Sequence, residues 1–177
     1  MSAISPAEMQ ALQAAEQSQY LTFLLGGEMF AIGILAIKEI LEFDKLTTVP
    51  MMPRFVRGVI NLRGAVVPVI DLSARFGRAA TMASKRTCIV IVEIAAEEGA
   101  QVVGVLVDAV NEVLDIPASE VEPSPAFGAR VRSDFIAGMG KVGGKFVIIL
   151  SVDHVLSADE MGVLADAGAT LEEPVAA

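Results

Sequence analysis

The sequence predicts a mainly β protein made of two small barrels, and three observations carry that reading. Apolar residues fall into short blocks rich in Val, Ile, Phe and Thr. Glycines mark the corners between blocks, and one pattern of blocks occurs twice along the chain.

Strands are expected at 19–25 (QYLTFLL) and 28–34 (EMFAIGI), joined by the glycine pair 26–27. Segment 34–43 is ambiguous, because Ile34, Ile37, Ile40 and Leu41 would also line one helix face. Its Val-rich counterpart later in the chain favours extended structure. A turn over Asn61–Gly64 leads into a strand at 65–72 (AVVPVIDL), where Pro68 implies an edge, a bulge or a barrel corner. DLSARFG makes a short helix with Asp71 as N-cap and Gly77 just past its end. Further strands are expected at 86–94 (RTCIVIVEI), 101–110 (QVVGVLVDAV) and 145–152 (KFVIILSV). SADE at 157–160 is a capping box that opens a C-terminal helix through about residue 167. Residues 1–17 and 168–177 read as frayed tails, leaving one folded unit at 18–167.

The duplication is seen by setting IKEILEFDKLTTVP (37–50) against VNEVLDIPASEVEP (110–123). Both run apolar, x, Glu, apolar, Leu, acidic, apolar, with a proline thirteen positions after the first residue. GVINLRGAVVPVIDL (58–72) then matches GMGKVGGKFVIILSV (138–152), each with two glycines six apart and a β-branched run. The changeover between the two lobes is expected near 82–88, with the terminal strands free to cross between them. Glu112 stands where the first copy has Glu39, but Gly143 stands where it has Arg63. A purely structural demand would have kept both residues, so the cation points to function confined to the first lobe.

Composition narrows the function classes. With 54% hydrophobic residues and a mean hydropathy of +0.60, the 177-residue chain can bury a large core. No apolar block approaches the ~20 residues of a membrane span, and the N-terminus shows no basic region followed by an apolar one. A single cysteine fits a reducing compartment, so a cytoplasmic location is expected. The net charge of −9 argues against nucleic acid and against anionic lipid as partners. The charge is uneven: residues 54–86 hold seven basic residues against one acidic, Asp71, so they carry +6 and the remainder −15. That cluster is either a solvated surface or a face for an acidic partner.

Enzymatic chemistry finds no footing. His154 and Cys88 are each the sole residue of their type, so a His/Cys metal cluster cannot be assembled. Neither a Ser-His-Asp set nor a G-x-S-x-G elbow is spelled out. His154 reads as structural, on a short terminal helix, and Cys88 as a small core residue. GMGKVG (138–143) has the G-x-G-x-x-G form, but a strand follows it instead of a helix, so it reads as a glycine-rich β-turn. Glu97–Glu98 and Glu172–Glu173 lie in polar turn and tail sequence and read as solubilising groups. A ligand carrier using the seam between lobes is disfavoured by the lack of convergent polar groups.

Four blocks, FAIGILAIKEI, VPMMPRFVRGVINLRGAVVPVIDL, GVLVDAVNEVL and IAGMGKVGGKFVIIL, together resemble the CheW family of bacterial chemotaxis coupling proteins over roughly residues 18 to 165. The resemblance implies two SH3-like five-stranded β-barrel lobes around a shared apolar seam. It implies no catalytic activity and no cofactor or metal. It implies instead an adaptor between the cytoplasmic tips of methyl-accepting chemoreceptors and the regulatory domain of a CheA-type histidine kinase. A sister system governing motility or type IV pili fits the same fold, and the resemblance leaves room for weak self-association. Carried over residue by residue, receptor binding falls to Ile37, Glu39, Arg63 and Val113, with Gly58 opening the NLRG block and Asn61 inside it. The kinase-facing edge is carried to Leu46, Thr47 and Val49. A glycine-flanked corner would present Arg63 with little entropy left to lose, and its planar fork suits a carboxylate. Whether Glu39 pairs with Arg63 or shares its partner stays open at this level.

Overall fold

The repeated blocks form two sheets of the same strand order. The computed structural model describes residues 5–10, 18–44, 46–96, 99–123 and 135–156. Its strands are β1 (Gln19–Leu25), β2 (Glu28–Gly33), β3 (Ile37–Glu42), β4 (Val56–Leu62), β5 (Ala65–Asp71), β6 (Cys88–Ala96), β7 (Gly99–Val107), β8 (Ala109–Asp115), β9 (Val121–Glu122), β10 (Ile136–Val142) and β11 (Lys145–Leu150). Two four-residue helices, α1 (Leu72–Arg75) and α2 (Val152–Val155), follow β5 and β11.

One sheet runs β3-β6-β7-β5-β4 and is called lobe one; the other, lobe two, runs β8-β1-β2-β11-β10-β9. Replacing each strand by its counterpart in the other copy turns the first order into the first five strands of the second. The correspondence reaches single residues. β4–β5 shifts register between Val56 and Gly58, and β10–β11 shifts between Ile136 and Gly138. β3–β6 is irregular between Ile37 and Glu39, and β1–β8 between Leu21 and Phe23. β9 covers β10 in lobe two, as the Thr47–Val59 bridge covers β4 in lobe one.

Neither lobe is built from one copy. Lobe one takes β3–β5 from the first copy and β6–β7 from the second, and lobe two takes the remainder. Residues 82–87 lie in the loop before β6, which joins two strands of lobe one. The chain changes sheet elsewhere, at the 3-10 turn Ile34–Ala36 and at the β7–β8 junction.

Three apolar clusters result, because β6 and β7 are covered on both faces. Val90, Val92, Ile94, Val103, Val105 and Val107 point into a seam shared with Leu21, Phe23, Phe30 and Ile32 of lobe two. Ile89, Ile91 and Leu106 point the other way, into a lobe-one core with Val67 and Val69. Lobe two has its own core of Ala31, Ile116, Val147 and Ile149. Double burial is why these strands read as unbroken apolar runs.

Several local expectations hold. Asp71 caps α1, its Oδ1 accepting from the amides of Ser73 and Ala74 at 3.1 and 3.4 Å. Past the helix, the amides of Gly77 and Arg78 donate to the carbonyls of Ala74 and Ser73, the paired bonds of a Schellman ending. Pro68 lies opposite Val59 on β4, just before β5 begins its parallel ladder to β7 at Val69, so no ladder bond is asked of it.

Elsewhere the structure departs from the expected pattern or adds to it. Segment 34–43 is a 3-10 turn before it is a strand. GMGKVG is mostly strand: only Gly143 belongs to the turn, with Gly144, while Gly138 and Gly140 lie in β10. They are glycines because β9 and Ile116 press on that strand; a Cβ on Gly138 would sit 2.6 Å from Val121 Cγ1. Residues 6–10 are helical, with Ser5 Oγ accepting from the Glu8 amide and Pro6 at the first turn. Cys88 is half-buried at the margin of the seam and donates to the Arg86 carbonyl. His154 is exposed on α2, hydrogen-bonded to Ser151 Oγ at 2.6 Å. The capping box at 157–160 and its helix lie outside the described residues.

Candidate functional site

The β4–β5 hairpin forms an exposed corner on the lobe-one surface. Leu62 pairs with Ala65, so Arg63 and Gly64 are the two central turn residues, with φ of 53° and 87°. Positive φ at both positions is the requirement of a type I′ turn, normally met by Asn, Asp or Gly. Lobe two meets it with Gly143 and Gly144, at 55° and 78°. Arginine has neither glycine's freedom nor a short acceptor to offset the crowding of its Cβ. The turn, Leu62–Ala65, is therefore one residue later than the expected Asn61–Gly64 span, and Asn61 is the penultimate residue of β4. Its Oδ1 accepts from the Gly64 amide at 2.9 Å.

From this corner Arg63 reaches β3. Its Nη1 donates to Glu39 Oε1 at 3.0 Å and its Nη2 to Oε2 at 2.7 Å. β3 and β4 are the two outer strands of the sheet, so the pair clasps edges that the hydrogen-bond ladder leaves apart. The Arg63 side chain is 75% exposed, and Glu39 26%. Those hydrogen bonds, and then the Arg63 charge, hold the Glu39 carboxyl below its ordinary value; the guanidinium is raised above its own by the same pair.

Next to Glu39 along β3, Ile40 is 43% exposed, and Val66, opposite Asn61 on β5, is 72% exposed. Neither stands out in the sequence, because AVVPVID is apolar from Ala65 to Ile70 and does not show which positions face out. Ile37 is half-buried and packs against the seam. Val113 is 47% exposed on β8, the edge strand of lobe two, where it matches Ile40; it is not part of the corner. Gly58 is buried and presents no surface. A Cβ there would lie 2.6 Å from the Thr47 carbonyl oxygen, so glycine lets Thr47 exchange both backbone hydrogen bonds with Val59. Of the kinase-edge residues, Leu46 packs on the lobe-one core, Thr47 is exposed over β4 and Val49 is half-buried.

The basic segment is not one cationic face. Arg57 donates to buried Asp71 at 3.0 Å and to the Thr81 carbonyl. Arg54 donates to the Arg78 carbonyl, and Arg78 to Glu28. Arg75 donates to the Val155 carbonyl, between the rings of Phe55 and Phe135. Most of these cations pin loops and join the lobes, while Lys85 and Arg86 stay exposed. Sequence alone showed the cluster and not its wiring.

Among the described residues no group of three His, Cys, Asp or Glu could hold a metal ion, and no helix is long and apolar enough to cross a membrane. A two-lobed β fold offering a rigid, exposed corner has the character of a protein-binding module. The comparisons give it a family. The CheW-like domain model matches residues 19–160. The chain is 33% identical to the chemotaxis protein CheW of Klebsiella aerogenes over 146 residues, 82% of this chain and 86% of that one. It is 36% identical to CheW of Bacillus subtilis over 139 residues, covering 78% and 86%. The crystal structure of the scaffolding protein TtCheW from Thermoanaerobacter tengcongensis superposes with a TM-score of 0.72 at 34% identity, covering 80% of this chain and 88% of that one. This chain belongs to the CheW-like family, and it is a non-catalytic scaffold of chemotaxis signalling.

Proposed function

We propose that this protein couples the cytoplasmic tips of chemoreceptors to the regulatory domain of a CheA-type histidine kinase, in the cytoplasm. The observation that carries the reading is the Arg63–Glu39 corner. There the second copy shows an unstrained glycine solution, and the first copy departs from it to hold an exposed cation. Strain kept against an available alternative is a mark of functional sites. Receptor contact would centre on Arg63 and Glu39, flanked by Ile40 and Val66, with Ile37 beneath. Val113 would serve a separate contact on lobe two. Thr47 and Val49 would face the kinase, with Leu46 fixing their strand from below.

The test is a pair of calorimetric titrations, against a receptor-tip fragment and against the regulatory domain of the kinase from the same genome. Arg63→Glu is expected to weaken receptor binding about tenfold or more while leaving the circular dichroism spectrum and kinase binding unchanged. Unaltered receptor affinity in a folded Arg63→Glu protein would remove Arg63 from the interface.

A further inference from the structure

We infer that Asn61 is a positioning residue for this corner: its side chain locks the left-handed turn that aims Arg63 at Glu39. The inference deepens the receptor-binding reading above and changes the part played by Asn61, from a contact to a brace. Asn61 lies two residues before Arg63, and its Oδ1 takes the Gly64 amide at 2.9 Å. That bond ties the strand to the far side of the turn and encloses Arg63 within a short side-chain-closed ring. Asn is suited to this because its short amide can satisfy a nearby backbone donor.

The second copy supplies an internal control. The residue matching Asn61 is Lys141, paired with Phe146 as Asn61 is with Val66. A lysine ammonium has donors only and cannot accept from an amide. In that copy the turn is Gly143–Gly144, which adopts positive φ without help and itself carries no cation. Brace and strained arginine are thus present together in lobe one and absent together from lobe two. A brace with no cation to aim would have no work, and an unbraced arginine at that φ would leave the left-handed region.

The experiment uses the full chain with Asn61→Ala and Asn61→Asp, followed by NMR. In Asn61→Ala, exchange of the Gly64 amide is expected to speed up about tenfold, the scale of one lost hydrogen bond. The Glu39 carboxyl titration should move back toward its ordinary value. Asn61→Asp keeps an acceptor and should retain slow Gly64 exchange. Gly64 exchange and Glu39 titration both unchanged in Asn61→Ala would overturn the inference, whatever receptor binding does. A loosened clasp with undiminished receptor affinity would leave the brace standing and count against the receptor-binding reading instead.

Discussion

Glu39 and Arg63 belong to opposite edges of one five-stranded sheet, yet their side chains meet through two hydrogen bonds of 3.0 and 2.7 Å. The sheet has curled until its outer strands face each other, and the ion pair bridges the gap. From the sequence alone Glu39 could pair with Arg63 or share its partner. In the free protein it pairs.

Because Arg63 occupies a left-handed position, Arg63→Gly removes strain and clasp together. An exposed ion pair contributes little to stability, whereas glycine is at home at that φ. The thermal midpoint of Arg63→Gly is expected to be no lower than that of the wild type. A fall of several degrees would show that the clasp outweighs the strain.

The clasp has a pH dependence of known sign. The folded-state pKa of Glu39 is depressed, so its contribution is complete above the ordinary carboxylate range and is lost as pH falls through the depressed value. At neutral pH the pair is fully charged. Following the Glu39 side-chain carbon by NMR should give a lowered midpoint in the wild type and an ordinary one in Arg63→Gln. Equal midpoints would mean the pair does not persist in solution.

Asp71 is the most heavily used polar side chain in the described structure. It caps α1, accepts from both the amide and the hydroxyl of Thr81, and pairs with Arg57 while only 1% exposed. Asp71→Ala strips Arg57 of its carboxylate and frees the loop before β6, and should cost about 3–5 kcal/mol in denaturant unfolding. A loss below about 1 kcal/mol would show that Arg57 finds another partner.

Gly58 and Gly138 occupy equivalent bulges but face different obstacles. A methyl at 58 meets a backbone carbonyl at 2.6 Å, whereas a methyl at 138 meets a valine side-chain methyl at that distance and a backbone carbonyl only at 3.1 Å. A side chain can turn aside more readily than backbone. Gly58→Ala should therefore be the more destabilising, on the order of 1–3 kcal/mol. The reverse order in parallel chemical melts would contradict this account of the bulges.

The strands, the helix cap at Asp71 and the equivalence of the two copies could be read from the sequence because each rests on local pattern: β-branched runs, an acidic cap, glycines six apart. Strand exchange between the copies could not, since pairing β5 with β7 and β11 with β2 is a long-range choice that leaves no mark on neighbouring residues. The fate of the arginines was hidden for the same reason. Arg57 and Arg63 are six residues apart and equally basic, but one is turned toward buried Asp71 and the other toward solvent. Gly58 shows the same limit, since its place in the motif does not disclose that it is buried beneath the Thr47 carbonyl.

The exchange of strands has a consequence for how the molecule could have arisen and how it must come apart. Each copy lends its first two strands to the sheet completed by the other copy, the arrangement of a swapped homodimer whose subunits have been fused end to end. Cutting the chain between the copies would therefore yield two fragments that each hold parts of both sheets. Mixed, they should reassociate into one particle; alone, neither carries a finished hydrophobic interior. Natural selection on either half is in this sense selection on both, because neither lobe can drift, loosen or unfold as a private unit.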